Sequence, residues 1–197
     1  FSGKEHTYQA WNGVPGDSLA TNRRFNPSGM YYDDQGNRRF YENETDNYQQ
    51  DHYQLHVSQS FGSGLTANMA LHHTYGRGYY EQYRSNERFS RYGLPNVEIG
   101  GQVISRSDLI RQRWLDNRFT GMTYSLLWQP GLKVSTVLGG GYNVYDGDHF
   151  GEIIWARYAK HADMRHRYYD NNGLKKDLNT FLKVEYEPGG KLHLFAD

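Results

Sequence analysis

Three times in this chain, two runs that alternate between apolar and polar residues meet across a turn of only a few residues. The turns are "QSFGSGLTAN" with Gly62 and Gly64, "LLWQPGLKVS" with Pro130 and Gly131, and "EYEPGGKLHL" with Pro188, Gly189 and Gly190. Strand side chains point to opposite faces in turn, so alternation into and out of a glycine turn is the pattern of a β-hairpin. The apolar positions before the turns are Tyr53, Leu55, Val57 and Phe61; Met122, Tyr124, Leu126 and Trp128; Leu178, Leu182, Val184 and Tyr186. Leu65, Ala67, Met69 and Leu71 leave the first turn, and Leu132, Val134, Leu138 and Tyr142 leave the second. Between them stand Gln54, His56, Ser58, Thr66, Asn68, His72, Thr123, Ser125, Lys133, Asn179 and Lys183. An antiparallel sheet with one wet face gives this pattern whether protein or lipid covers its dry face.

Composition narrows the setting. The 18 Tyr, 9 Phe and 4 Trp argue against disorder, which depletes aromatics. Lys and Arg number 22 against 22 Asp and Glu, so a nucleic-acid partner has no electrostatic footprint. With no Cys, disulfides, thiolate metal sites and cysteine nucleophiles are excluded. No apolar run is long enough for a transmembrane helix, a limit that does not apply to strands.

Loop lengths favour lipid. Long polar connections, about Gly76 to Arg106 and about Asp146 to Asn172, alternate with the tight turns. Connections this long are uncommon inside a compact soluble domain, whereas outer-membrane barrels join strands by short periplasmic turns and long outer loops. Phe61, Trp128 and Tyr186 occupy an aromatic girdle beside the short turns, and Tyr75, Tyr142 and Tyr145 the opposite one. Lipid-facing residues are then Leu55, Val57, Met69, Leu126, Val134, Leu138, Leu182 and Val184. Six strands are expected: Asp46 to Phe61, Leu65 to Tyr75, Leu115 to Trp128, Leu132 to Tyr145, Leu174 to Tyr186, and Lys191 onward. Phe1 to Thr45 reads as the tail of a further outer loop. The fold class is all-β, an antiparallel up-and-down meander. Six strands do not close a barrel, so residues 1–197 are expected to be a piece of a larger one.

The phrases "GKEHTYQAWNGVPGDSL", "ETDNYQQDHYQLHVSQSF", "RQRWLDNRFTGMTYSL" and "GGGYNVYDGDHFGEIIWARY" resemble the β-barrel of TonB-dependent outer-membrane receptors, particularly those of Bacteroidetes. The resemblance spans nearly the whole chain. It implies a barrel of about 22 strands with long extracellular loops and an N-terminal plug. It also implies import of a scarce nutrient, such as an iron complex, with energy passed from the inner membrane. The plug, the segment that contacts TonB and the closing strand are missing from these residues. The partners implied are outer-membrane lipid, TonB through that missing segment, and a small ligand: an iron chelate, haem, cobalamin or an oligosaccharide. The location implied is the cell outer membrane. The alternative is a soluble secreted β-sheet module that binds glycans through its aromatics.

Candidate ligand-binding residues lie in the expected outer loops. "YGRGYYEQYR" gathers Arg77, Tyr79, Tyr80, Tyr83 and Arg84, whose rings stack on planar ligands and whose guanidiniums hold carboxylates. Trp11, Trp155, His161 and His166 extend the set, the histidines as contacts for haem or a metal complex. Asp146, Asp148 and Glu152 of "YDGDHFGE" are hard oxygen ligands, but the calcium-loop spacing fails at Phe150 and at Arg157. Their plain reading is a loop-ordering turn. His72 and His73 are adjacent on a strand and point to opposite faces. "SDLIRQRW" reads as a loop end. No nucleophile elbow, phosphate loop or zinc-protease helix is present, so no catalytic residue, metal or cofactor is expected.

Overall fold

The computed structural model describes residues 1–9, 12–159, 164–189 and 192–197. It is all-β, with no α-helix among the described residues. The principal strands are β1 (Ser2–Tyr8), β4 (Thr45–Phe61), β5 (Leu65–Arg88), β8 (Arg106–Trp128), β9 (Val134–Ala156), β10 (His166–Gly189) and β11 (Leu192–Ala196). They form one antiparallel sheet of seven strands in the order β1-β4-β5-β8-β9-β10-β11. Two small hairpins lie in the connections: β2 (Met30–Tyr32) with β3 (Arg38–Phe40), and β6 (Val97–Ile99) with β7 (Gln102–Ile104). Short connections leave one end of the sheet and long ones the other, as the turn spacing suggests.

Register decides which side chains share a face. Leu55 pairs with Leu71, Leu71 with Met122, Met122 with Tyr142, and Tyr142 with Leu178. Two rows nearer the short turns, Ala67, Leu126, Leu138 and Leu182 form another row on the same face. The expected lipid-facing residues therefore share one face across five strands, and Val134 lies at its edge, paired with Tyr186. The opposite face is polar, carrying Asn68, Ser125, Thr123, Asn143 and Asn179 in the alternate rows. Leu55 is 57% exposed, Leu182 52% and Leu178 76%. The buried apolar side chains among the described residues, Phe89, Tyr92, Leu94, Val97, Leu109, Phe150, Ile153 and Ala156, all lie toward the long-connection end. The sheet is thus capped in its upper half and bare in its lower half.

Three expectations are corrected. First, the strands do not stop at Tyr75, Leu115, Tyr145 and Leu174: β5 and β10 run for 24 residues each and β8 and β9 for 23. Alternating hydropathy reports the medium on one face, whereas pairing depends on the backbone ladder and continues wherever cross-strand side chains agree. Above the apolar band those pairs are polar and aromatic, Arg77 with Asp116 and Tyr79 with Trp114. Hence "YGRGYYEQYR", "YDGDHFGE" and "SDLIRQRW" are strand rather than loop. Second, the segment expected as loop tail begins with β1, which pairs with β4 from Ser2↔Asp51 to Tyr8↔Thr45. It is exposed throughout and has no apolar rhythm to reveal it. Third, Tyr145 pairs with Phe119 and Lys175 on the polar face and does not belong to the girdle. The start of the last expected strand, Lys191, lies outside the described residues.

The caps are specific. On the apolar side β2 and the residue after β3 pack over β5, with Tyr31 and Tyr41 ring centroids 4.3 and 5.9 Å from Tyr83. Glu81 beneath them is buried and accepts hydrogen bonds from the Tyr41 hydroxyl, from Asn43 Nδ2 at 2.6 Å and from Gln112 Nε2 at 2.7 Å. On the polar side Phe89, Tyr92, Leu94 and Val97 fold down onto Leu109 and Ile153. Glycines also thin the polar face, with aromatic rings lying over them: Tyr48 over Gly76 and Gly78, Phe181 over Gly139, Tyr145 over Gly147. Removing bulk from one face is the condition for a sheet to curl toward it.

Gly64 closes the β4–β5 turn in a left-handed conformation, φ 76°, with its carbonyl accepting from Gln129 N–H at 2.8 Å in the neighbouring turn. A Cβ there would run into the Gln129 carbonyl. Gly64→Ala is expected to destabilise the folded protein by about 1 to 3 kcal/mol, read from the shift of its denaturant midpoint.

Candidate functional site

Above the apolar band, the polar face carries a row built across four strands. Tyr80 on β5 pairs with Arg113 on β8, Arg113 with Gly151 on β9, and Gly151 with Tyr169 on β10. Gly151 is what brings the row together: a Cβ there would overlap the rings of Tyr168 and Tyr169. With that space open, the Arg113 guanidinium lies 5.5 Å from the ring centroids of both Tyr80 and Tyr169. Its Nε donates to the Tyr169 hydroxyl at 3.2 Å.

The next row fixes the cap. Arg111 donates to Gln82 Oε1 at 3.1 and 2.7 Å and to the Tyr92 hydroxyl at 3.3 Å. Tyr92 is buried, stands edge-on to Tyr168 at 4.9 Å, and its carbonyl lies 3.0 Å from His166 Nε2. Burial pushes the phenols of Tyr80 and Tyr92 above their usual value and that of Tyr168 up to about 12. The hydrogen bond to Tyr169 is the main cause raising Arg113. The surface therefore presents a fixed cation between two phenol rings. Such a surface holds an anionic or planar group by charge-assisted hydrogen bonds and ring contact.

The structure does not gather the expected ligand residues into one site. Tyr80 joins the row just described. Arg77 and Tyr79 lie on the opposite face, where Arg77 meets Asp116 at 3.3 Å and Tyr79 packs 4.5 Å from Trp114. Tyr83 shares that face, beneath Tyr31 and Tyr41, and donates to Asp108 at 2.7 Å. Arg84 is tied to Glu87 at 3.1 Å. Trp155 stands on β9 opposite Ile110, and His166 begins β10 bonded to the cap. His161 and Trp11 lie outside the described residues. The carboxylates of "YDGDHFGE" serve as cross-strand partners, Asp146 and Asp148 each accepting from Asn172 Nδ2 at 2.8 Å and Glu152 facing Arg165 at 3.3 Å. His72 and His73 do point to opposite faces, toward Asn143 and Thr120.

Sequence reasoning missed Arg111, Arg113 and Tyr169. The signal was available in "RQRW": continuing the two-residue period upward from Thr123 places both arginines on the polar face and Trp114 on the other. No family model matches the chain, and neither does any curated protein or solved structure.

Proposed function

We propose that this chain is barrel wall from a TonB-dependent outer-membrane receptor, an active transporter that brings a scarce nutrient such as an iron complex across the outer membrane. The observation that carries the membrane setting is the uncovered apolar face. On β5 it spans Leu65 to Tyr75 and on β8 Arg118 to Trp128, the nine to eleven residues that a tilted transmembrane strand needs. Phe61, Trp128 and Tyr186 close its lower edge. The transport reading rests on the resemblance of the strand phrases. In it, the sheet belongs to a closed barrel of about 22 strands, the short turns face the periplasm and the long connections face outward. TonB engages a segment N-terminal to the barrel. Arg113, Tyr80 and Tyr169 then line the outer lumen and contact the ligand, be it iron chelate, haem, cobalamin or oligosaccharide. A soluble glycan-binding module would need to bury Leu55, Leu178 and Leu182, which the described residues leave open.

The test is uptake by the full-length protein in outer membranes, with labelled iron chelate, haem, cobalamin and oligosaccharide offered in turn. One of them is expected to enter, to stop when a protonophore collapses the inner-membrane gradient, and to enter at least about tenfold more slowly after Arg113→Ala, the loss of one charge-assisted contact. Recovery of the protein in the soluble fraction, or entry indifferent to the protonophore, would overturn the proposal.

A further inference from the structure

On the polar face, the Arg113 row continues toward the β1 edge. Tyr80 pairs on its other side with Asp46 of β4, so Asp46 and Arg113 flank the Tyr80 ring from two strands away, about 10 Å apart along the row. In the next row of that face Glu5 pairs with Tyr48, Tyr48 with Gly78 and Gly78 with Leu115. Between the two rows opens a cavity of about 280 Å³ lined by Glu5, Asp46, Tyr48, Gly78, Tyr80, Arg113 and Leu115. Its floor is the Tyr48 ring, which occupies the space a Cβ on Gly78 would fill.

The charges of this cavity are sorted by end. Glu5 and Asp46 stand toward β1, and Arg113 is the one cation among the described residues that line it. Glu5 accepts from Thr7 Oγ1 at 2.8 Å, Asp46 has no side-chain donor, and neither has an ion-pair partner among the described residues. Burial, and then the charge of Glu5, raises the Asp46 carboxyl above its ordinary value. Two acids side by side without a cation disfavour each other's charge, and a bound cation relieves both. At the far end Arg113 is bonded to Tyr169, a phenol and not a carboxylate, so its charge also lacks a counterion. Between the ends lie the rings of Tyr48 and Tyr80 and the 40% exposed Leu115.

Resting on the reading above, in which the Arg113 row contacts the transported ligand, we infer that this ligand presents a zwitterionic group here. Its ammonium sits between Glu5 and Asp46, its carboxylate on Arg113, and an apolar or planar portion against Tyr48 and Tyr80. That is the chemistry of a short peptide, taken free or as an arm of an iron chelate. The cavity lies at the small end of ligand pockets and suits one or two residues. Haem brings carboxylates without an ammonium and a neutral oligosaccharide brings neither, so both leave the acid pair unmatched.

The full-length protein in detergent is titrated calorimetrically with glycyl-tyrosine, its N-acetyl form and its C-terminal amide. A ferric trihydroxamate chelate is added in two forms, bare and carrying the same dipeptide through its phenol oxygen. Blocking either terminus is expected to weaken binding about tenfold, the loss of one charge-assisted contact. The Glu5→Gln, Asp46→Asn double variant is expected to bind free and acetylated forms equally, and Arg113→Gln the free and amidated forms equally. Each variant keeps its response to the other blocked terminus, which shows that it is folded. Binding of the free dipeptide supports the inference with the peptide itself as ligand, and binding of the armed chelate alone supports it with the chelate as ligand. Equal binding of bare and armed chelate, indifference to the blocked termini, or no binding of any probe would each overturn it. Protonophore-sensitive uptake of a ligand without an ammonium group overturns this inference alone. Recovery of the protein in the soluble fraction, with the blocked termini still weakening binding, overturns the membrane reading and leaves the selectivity of the cavity standing.

Discussion

Met122→Arg is expected to lower the stability of the bilayer-embedded protein by about 2 to 4 kcal/mol, the cost of a guanidinium at mid-depth on a lipid-facing strand. Met122 lies in the central row of the apolar face, between Leu71 and Tyr142. Val134→Arg, in the row with Tyr186 at the edge of the band, is expected to cost only about 0 to 1 kcal/mol, because the side chain reaches the interface. Thr123→Arg, one residue along β8 and on the polar face, is expected to stay within about 0.5 kcal/mol of the parent. Denaturant unfolding of the full-length protein in lipid vesicles measures all three. A protein core on the same face would penalise all apolar-face sites without regard to depth, so the gradient separates the two media.

Glu81→Ala is expected to be comparably severe, at about 3 to 5 kcal/mol, for a different reason. The carboxyl group is 4% exposed in its residue and collects donors from three separate segments, Tyr41, Asn43 and Gln112. Burial, and then the hydrogen bond to Glu81, pushes the Tyr41 phenol well above its ordinary value, so it remains a donor at any physiological pH. Truncation strands the buried Gln112 amide and takes the acceptor from the half-buried Tyr41 hydroxyl, while Asn43 is exposed. Glu81→Gln keeps the shape and one acceptor and is expected to cost less than half as much, since the Asn43 or Gln112 amide turns to accept from the new side chain. Hydrogen exchange across residues 25–44 distinguishes the outcomes: the cap loosens with alanine and stays closed with glutamine.

The lower half of the sheet was legible because one physical variable, the medium on one face, is written directly into every second residue from Leu65 to Leu71 and from Met122 to Trp128. The upper half was not, because Arg77, Asp116, Trp114 and Phe150 are chosen for each other across strands, and that pairing carries no period along the chain. Trp114 and Phe150 stack at 5.7 Å although they stand on different strands. The site failed for a related reason. Clustering in sequence put Tyr79 and Tyr80 together, but adjacent strand residues face apart, and Tyr80's true neighbours Arg113 and Tyr169 are distant in the chain. Gly151, which makes their meeting possible, has no side chain with which to advertise itself.

The division of the sheet into a capped half and a bare half also sets how freely each can drift. In the membrane reading, Leu55, Leu71 and Leu126 need only be apolar, since a fluid surrounding fits any shape, so Leu, Val, Met and Phe are expected to interchange there at little cost. Glu81, Tyr92, Arg111 and Gly151 are each bound to named partners and tolerate few replacements. Over long divergence, the strands through the band are then expected to keep a rhythm but lose their letters, with the distinctive identity of the protein stored in the polar storey above them.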